Sequence, residues 1–272
     1  MIDIQSARIG YREKTQETVI FPDLDCHIEK GKLYCILGAN GVGKTTLFRT
    51  ILGFLPLLDG KIIIDDQELS ELGRKKLAEK IAYVPQYHMP PFPYTVLEVI
   101  LMGRGVHIGT MKSPGQKDIQ KAEEILEELG ISYLKDSIYT KISGGERQLV
   151  LIARALAQET HYLLMDEPAS SLDYGNQIKM LQILQKLSKK GIGICFTSHC
   201  PEHALWCDAE VIALADRKTL CVGKADEIIN EKLLRKMYGI EVTIKEENTE
   251  SEGKRKVLIP CFTDMDNQGG TQ

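Results

Sequence analysis

Apolar and polar residues alternate at the start of the chain, Ile2-Asp3-Ile4-Gln5, and short strand-like runs recur at Val19 to Phe21 and Leu24 to Ile28. This pattern predicts an antiparallel β opening. Leu33-Tyr34-Cys35-Ile36-Leu37 is apolar throughout and ends at a glycine, and a helical pattern follows from Lys44 to Leu52. An apolar run without alternation marks a strand covered on both faces, so the segment reads strand, glycine loop, helix. A strand at Ile62 to Ile64, a basic helix near Arg74 to Lys80 and a strand at Ile81 to Val84 come next.

From Tyr87 the pattern changes. Pro90, Pro91 and Pro93 stiffen a loop, and helical patterns follow at Val96 to Met102 and Asp118 to Leu129. In the second of these Ile119, Ala122, Leu126 and Leu129 form one stripe, while Glu123, Glu124, Glu127 and Glu128 form a solvated face. After Gly144 a long helical pattern runs to Gln158, then a buried strand at Tyr162 to Met165. A helix with Ile178, Leu181, Leu184 and Leu187 and a strand at Ile192 to Thr197 complete the series. Strands alternating with helices predict an α/β fold with a mostly parallel sheet. It carries an N-terminal antiparallel β subdomain and a helical subdomain inserted at about 87–158. These elements span 1–245. The remainder, 246–272, is polar and Gly-rich and reads as a partly disordered tail, in which Val257-Leu258-Ile259 could add a short strand.

Composition narrows the class. Among 272 residues, 43% are hydrophobic and 26% charged, which excludes a disordered chain and a disulfide miniprotein. Lys plus Arg number 34 against 38 Asp plus Glu, so no overall basic field draws the chain onto nucleic acid or anionic lipid. No run reaches the ~18 apolar residues of a membrane span. The N-terminus lacks the basic and apolar regions of a secretory signal, which predicts a cytoplasmic address. Seven scattered cysteines without a C-x-x-C pair fit reduced thiols and no structural disulfide.

The chemistry begins at Gly38-Ala39-Asn40-Gly41-Val42-Gly43-Lys44-Thr45, which satisfies G-x-x-x-x-G-K-[ST] and is followed by Thr46. Chance supplies such a match roughly 0.01 times per chain of this length. The match lies between a predicted strand and a helix, where glycines let backbone N–H groups curl around phosphate oxygens and the helix N-terminus adds positive potential. Lys44 would then reach the β and γ phosphates of a bound nucleotide, and Thr45 would offer its hydroxyl to Mg²⁺. A phosphate site of this kind needs carboxylates at the end of a neighbouring strand, and Tyr162-Leu163-Leu164-Met165-Asp166-Glu167 supplies two. Asp166 is assigned to the Mg²⁺ shell and Glu167 to polarising the attacking water as general base.

Ser143-Gly144-Gly145-Glu146-Arg147-Gln148 precedes a helix, so Ser143 is a natural N-cap and the glycines expose N–H groups to a second anion. One chain does not easily bring two such mouths onto one phosphate. With this hexapeptide the sequence resembles the ATP-binding cassette family, over residues 1 to about 240. The resemblance implies that two copies meet head to tail, the signature of one closing over ATP held by the P-loop of the other. It further implies that Tyr11 stacks on adenine, that Gln86 touches Mg²⁺ and the water, and that Ser171-Leu172-Asp173 forms a dimer-contact loop. His199 corresponds to the histidine that senses γ-phosphate. Ile142 and Ser198 depart from the family's usual leucine and threonine without touching the chemistry. Cys200, His203 and Cys207 have the spacing of a soft-metal trio, but cysteines on an apolar helix face are more simply core residues.

The segment Tyr94-Thr95-Val96-Leu97-Glu98-Val99-Ile100-Leu101-Met102-Gly103-Arg104, with His107, resembles the importer branch for metal chelates: iron siderophores, haem and cobalamin. Similar wording occurs in molybdate and tungstate importers. The resemblance implies a peripheral ATPase on the cytoplasmic face of the membrane. Its partners would be a permease dimer directly and a substrate-binding protein indirectly. A soluble iron-sulfur assembly ATPase is the alternative from another class.

Overall fold

The computed structural model describes residues 1–13, 16–86, 92–108, 112–216, 219–249 and 253–261. The alternating opening becomes β1 (Ile2–Glu13), which buries Ile2, Ile4, Ala7 and Ile9. It pairs antiparallel with β2 (Gln16–Phe21) and with β3 (Cys26–Ile28). Next, β4 (Leu33–Leu37) is buried at every position, as its unbroken apolarity requires, and leads into α1 (Lys44–Ile51). The chain then returns to β1 as β5 (Asp59–Ile64), and β6 (Gln67–Glu68) completes an antiparallel sheet ordered β2-β1-β5-β6 with β3 beside β1. Helix α2 (Arg74–Lys80) precedes β7 (Ile81–Val84).

After β7 come α3 (Val96–Leu101), α4 (Gln116–Glu128) and α5 (Gly144–Leu156). Thr95 starts α3 with a reciprocal capping box to Glu98, so two otherwise orphaned helix donors are satisfied. In α4 the deeply buried residues are Ala122, Ile125 and Leu126, while Ile119 and Leu129 are only half-buried. The stripe is therefore rotated toward Ile125. Arg104 fastens these helices together: it donates to Asp118 (3.0 Å) at the start of α4, and to the Ala157 carbonyl (2.8 Å) and Glu159 (2.6 Å) beyond α5. Of the three loop prolines, Pro90 and Pro91 lie outside the described residues.

The chain continues through β8 (Tyr162–Met165), α6 (Tyr174–Lys189), β9 (Gly193–Ser198), α7 (Pro201–Trp206), β10 (Glu210–Ala215) and β11 (Thr219–Lys224). The second sheet runs β11-β10-β4-β9-β8-β7, parallel except for the β10–β11 pair. Alternate residues face opposite layers, because side chains along a strand repeat every second position. Cys35, Leu37, Leu163, Met165, Ile194 and Phe196 pack with α3–α6. Tyr34, Ile36, Tyr162, Leu164 and Cys195 pack instead with α1 and the antiparallel sheet.

The short strand expected at Val257-Leu258-Ile259 lies within a longer one, but the rest of the described C-terminal segment is more ordered than its composition suggests. Beyond α8 (Ala225–Ile228) and α9 (Glu231–Tyr238), β12 (Val242–Thr249) and β13 (Gly253–Pro260) pair antiparallel from Val242↔Pro260 to Thr249↔Gly253. A boundary at 245 thus cuts a strand, and the tail expected from 246 contains most of a hairpin. Val242 is buried, and Ile244 and Leu258 pack against the core, so burial of one apolar face offsets the polar composition of the other. Residues 262–272 lie outside the described residues.

Candidate nucleotide site

The glycine loop joins the end of β4 to α1, and its backbone accounts for its glycines. Gly41 and Gly43 have φ of +80° and +114°. A Cβ on Gly43 would lie 2.4 Å from Ile20 Cγ2 and 2.9 Å from Phe21 Cε2, so only glycine fits both the dihedral and the space. Gly38 N donates to the Ser198 carbonyl (3.2 Å), which ties the loop to the end of β9. Lys44 is buried and donates its ammonium to the carbonyls of Gly38 (2.7 Å) and Ala39 (3.3 Å).

β8 delivers the two acids at its C-terminal end. Asp166 is buried, and both of its oxygens are engaged: Thr45 Oγ1 donates to one and Thr197 Oγ1 to the other, each at 2.7 Å. Thr197 Oγ1 also accepts from Glu167 N (2.8 Å). Glu167 has φ of +47°, a left-handed conformation uncommon for a residue with a side chain, and it turns the chain sharply off the strand. That turn aims its carboxylate at three groups. Lys44 Nζ lies 3.4 Å from Oε1, while Gln86 Nε2 donates to Oε2 (3.3 Å) and His199 Nδ1 stands 3.3 Å from the same oxygen. Nearby Tyr83 has its hydroxyl pushed up to about 12 by burial, reinforced by the Asp166 carboxylate.

Tyr11, Asn40, Gly41, Lys44, Thr45 and Glu167 are among the residues that line an open cleft of about 520 Å³. That volume lies in the range of small-ligand sites. The Tyr11 and Thr46 hydroxyls are 2.8 Å apart, so the tyrosine is fixed at the rim of the loop. Backbone donors, one ammonium and the helix N-terminus make this cleft suited to a polyphosphate. Thr45, Asp166 and Gln86 present the all-oxygen donor set that Mg²⁺ prefers.

The signature stands elsewhere on the chain. Ser143 and Gly145 border a separate hollow of about 490 Å³ with Leu172, Asn176 and Lys179, and neither lines the glycine-loop cleft. Ser143 caps α5: its N–H and hydroxyl donate to Glu146 Oε2 at 2.8 and 2.7 Å, and its Oγ accepts from Glu146 N (3.3 Å). The two bonds that Ser143 donates to it, together with one from the Tyr133 hydroxyl, hold the Glu146 carboxyl below its usual range. Gly144 has open space where a Cβ would point, leaving its backbone accessible. The fold therefore gathers Tyr11, the glycine loop, Lys44, Thr45, Thr46, Gln86, Asp166, Glu167 and His199 into one place, and leaves Ser143, Gly144 and Gly145 in another.

Thr197 was not among the expected site residues. Its only sequence signal is being the first polar side chain at the end of an apolar strand. The Cys200, His203 and Cys207 side chains turn to other partners: the Cys200 thiol to Glu202 (3.0 Å), the Cys207 thiol to the His203 carbonyl (2.9 Å), and the His203 ring to Ser198 and Gln177. Among the described residues, no helix is long and apolar enough to cross a membrane.

The family model described as ABC transporter matches residues 21–170. An uncharacterised ABC transporter ATP-binding protein of Haemophilus influenzae is 37% identical over 238 residues, 88% of this chain and 89% of that protein. The molybdate import ATP-binding protein of the same organism is 37% identical over 209 residues, 76% of this chain and 74% of that protein. A petrobactin import ATP-binding protein of Bacillus anthracis is 31% identical over 229 residues, 84% of each chain. A structure described as an inward-facing metal-chelate type ABC transporter superposes with a TM-score of 0.82 at 30% identity, covering 96% of this chain and 97% of that one. A dimeric bacterial ABC transporter cassette superposes with a TM-score of 0.71 at 26% identity, covering 83% and 99%. Together with the geometry of the cleft, these likenesses place the chain in the ABC transporter family, as an ATP-binding cassette with ATPase activity.

Proposed function

We propose that this chain is the ATP-hydrolysing subunit of an importer that carries a metal chelate, an iron siderophore, haem or cobalamin, through a separate membrane permease. The observation that carries this reading is the likeness to the metal-chelate type transporter over nearly the whole of both chains, C-terminal region included. The siderophore-import relative supports it. Molybdate or tungstate is the second reading, favoured by the higher identity of the molybdate-import relative. On either reading the chain works at the cytoplasmic face of the membrane, bound to a permease dimer and indirectly to a substrate-binding protein.

In this proposal Gly38, Asn40, Gly41, Gly43, Lys44, Thr45 and Thr46 cradle the phosphates of ATP, and Tyr11 offers a ring face to adenine. Thr45, Asp166 and Gln86 would hold Mg²⁺, which when bound supplies charge stabilisation to the phosphate oxygens. Glu167 takes a proton from the attacking water, and His199 orients the reacting groups beside it. Since Ser143, Gly144 and Gly145 do not border their own chain's cleft, they close the cleft of a second copy, giving a head-to-tail homodimer with two ATP molecules. The dimeric cassette supports that arrangement.

The test is uptake. A strain lacking this chain should fail to grow when an iron chelate, haem or cobalamin is its only source of the metal or cofactor, with molybdate limitation as the phenotype of the second reading. Unchanged uptake of all of these, together with reduced uptake of a sugar or peptide, overturns the cargo assignment and leaves the ATPase intact.

A further inference from the structure

His199 is 45% exposed, so its position is set by the backbone that carries it. That backbone is the tight turn Ser198 to Cys200, closed by the Ser198 hydroxyl, which accepts from Cys200 N (3.0 Å). On the other side of Glu167, the chain turns through residues 168–173 into α6. There Ser170 N and Oγ donate to the Glu167 carbonyl (3.2 and 3.0 Å), and Leu172 N donates to Ala169 O (3.2 Å). The two turns are far apart in sequence, and a chain of side-chain hydrogen bonds connects them.

Gln177, in the first turn of α6, donates Nε2 to the Leu172 carbonyl (3.0 Å). Its amide oxygen therefore faces His203 Nε2 (3.4 Å), so that ring nitrogen carries the proton. His203 Nδ1 is then an acceptor for the Ser198 hydroxyl at 2.9 Å, whose single proton also lies within reach of the Cys200 carbonyl (3.2 Å). Burial lowers the His203 pKa, the neighbouring Glu202 and Glu167 charges only opposing it, which fits the neutral ring this pattern needs. Ser198 and His203 are 3% and 5% exposed, Trp206 packs on the His203 ring at 5.7 Å, and Tyr174 stands edge-on to Trp206 at 5.5 Å. Each member of the chain has a partner on both sides. At the buried Ser198 and His203 such a network holds its geometry, because displacing either leaves a polar group unpaired.

We infer that Gln177 and His203 are positioning residues of the hydrolytic site, coupling the turn after Glu167 to the turn that carries His199 and so setting the distance between those two side chains. The inference rests on the proposed roles of Glu167 and His199. Neither Gln177 nor His203 lines the cleft, so their effect falls on turnover rather than on ATP affinity.

The experiment measures steady-state ATPase of the full-length chain over a range of ATP concentrations, well below the Tm of each variant. Gln177→Met keeps the side-chain volume and removes both bonds, while His203→Asn keeps an acceptor for Ser198 but does not reach Gln177. Ser198→Ala removes one oxygen and is the variant least able to disturb folding. Each should lower kcat about tenfold, the scale of a small misplacement near a reacting centre, with KM for ATP within about twofold of wild type. The double variant Gln177→Met/His203→Asn should be no slower than the slower single variant, since both break one link. Unchanged kcat in Gln177→Met, a raised KM with kcat intact, or multiplied losses in the double variant overturns the coupling. Glu167→Gln run alongside separates the two levels. Wild-type turnover there removes the site assignment itself, whereas loss there with full activity in Gln177→Met removes the coupling alone.

Discussion

The Lys44 ammonium stands 3.4 Å from a carboxylate oxygen of Glu167, and both are largely withdrawn from solvent at 6% and 12% side-chain exposure. The P-loop cation and the proposed general base are thus held against each other across 123 positions of sequence. On the proposed function, a terminal phosphate entering the cleft would compete with Glu167 for the same ammonium and leave the carboxylate free to face water.

Glu167→Gln keeps the shape of the side chain and removes its basicity. Turnover should fall by about 10²- to 10⁴-fold with ATP binding retained, so an ATP-bound dimer should accumulate. Size-exclusion chromatography in Mg-ATP checks this, and a monomer with ATP demonstrably bound contradicts the dimer.

Lys44→Ala removes the cation proposed to face the terminal phosphates and should abolish both tight ATP binding and hydrolysis. Ser143→Arg should leave ATP binding to the isolated chain intact while blocking hydrolysis in the site it closes. It also removes the α5 N-cap, at a stability cost of about 1 kcal/mol. A mixed dimer with Lys44→Ala in one copy and Ser143→Arg in the other places both lesions at one composite site. Half of the wild-type sites should still bind and close over ATP, measured by nucleotide stoichiometry. Equal damage to both sites argues for hydrolysis within each copy.

Gly43→Ala meets a left-handed φ and the buried side chains of Ile20 and Phe21 together. The expected loss is about 2 kcal/mol or more of stability, with weakened ATP binding because the loop must shift to admit the methyl group. A wild-type Tm and Kd in this variant would show the loop to be more accommodating than its packing implies.

Asp65 makes a prediction away from the cleft. Burial pulls its carboxyl upward, but bonds from the Met1 amine, His161, Tyr162 and Lys30 outweigh it and hold it well below the usual carboxylate range. A carboxyl depressed in the folded state stabilises the fold above its unfolded pKa, and that contribution is lost as pH falls toward the folded value. Asp65→Asn should therefore cost about 1–3 kcal/mol near neutral pH, with the difference from wild type shrinking below about pH 4. Thermal melts of both proteins across that range decide it. A constant gap in Tm would assign the effect to packing.

The contiguous segments that build the cleft and the signature are legible in the sequence. The glycine loop, Asp166 and Glu167 at the end of one strand, and Ser143 at the start of α5 each depend on dihedrals and caps that a few neighbouring residues dictate. The same holds for the strand-helix alternation, because periodicity is a local property of the chain. What only the tertiary structure decided involves residues brought together from afar. β4 lies between β9 and β10, so the P-loop sits beside the turn of His199. Thr197, an unremarked hydroxyl at a strand end, bonds both Asp166 and the Glu167 backbone. His203 looked like one member of a metal trio by helical spacing, yet its ring turns to Ser198 and Gln177. Of the β12–β13 hairpin only the run Val257-Leu258-Ile259 is legible, for the same reason. Its charged residues outnumber its apolar ones, and only contact with the core gives Val242, Ile244 and Leu258 something to bury against. Side-chain partners across long sequence separations are chosen by packing, and packing leaves no period in the chain for a sequence to display.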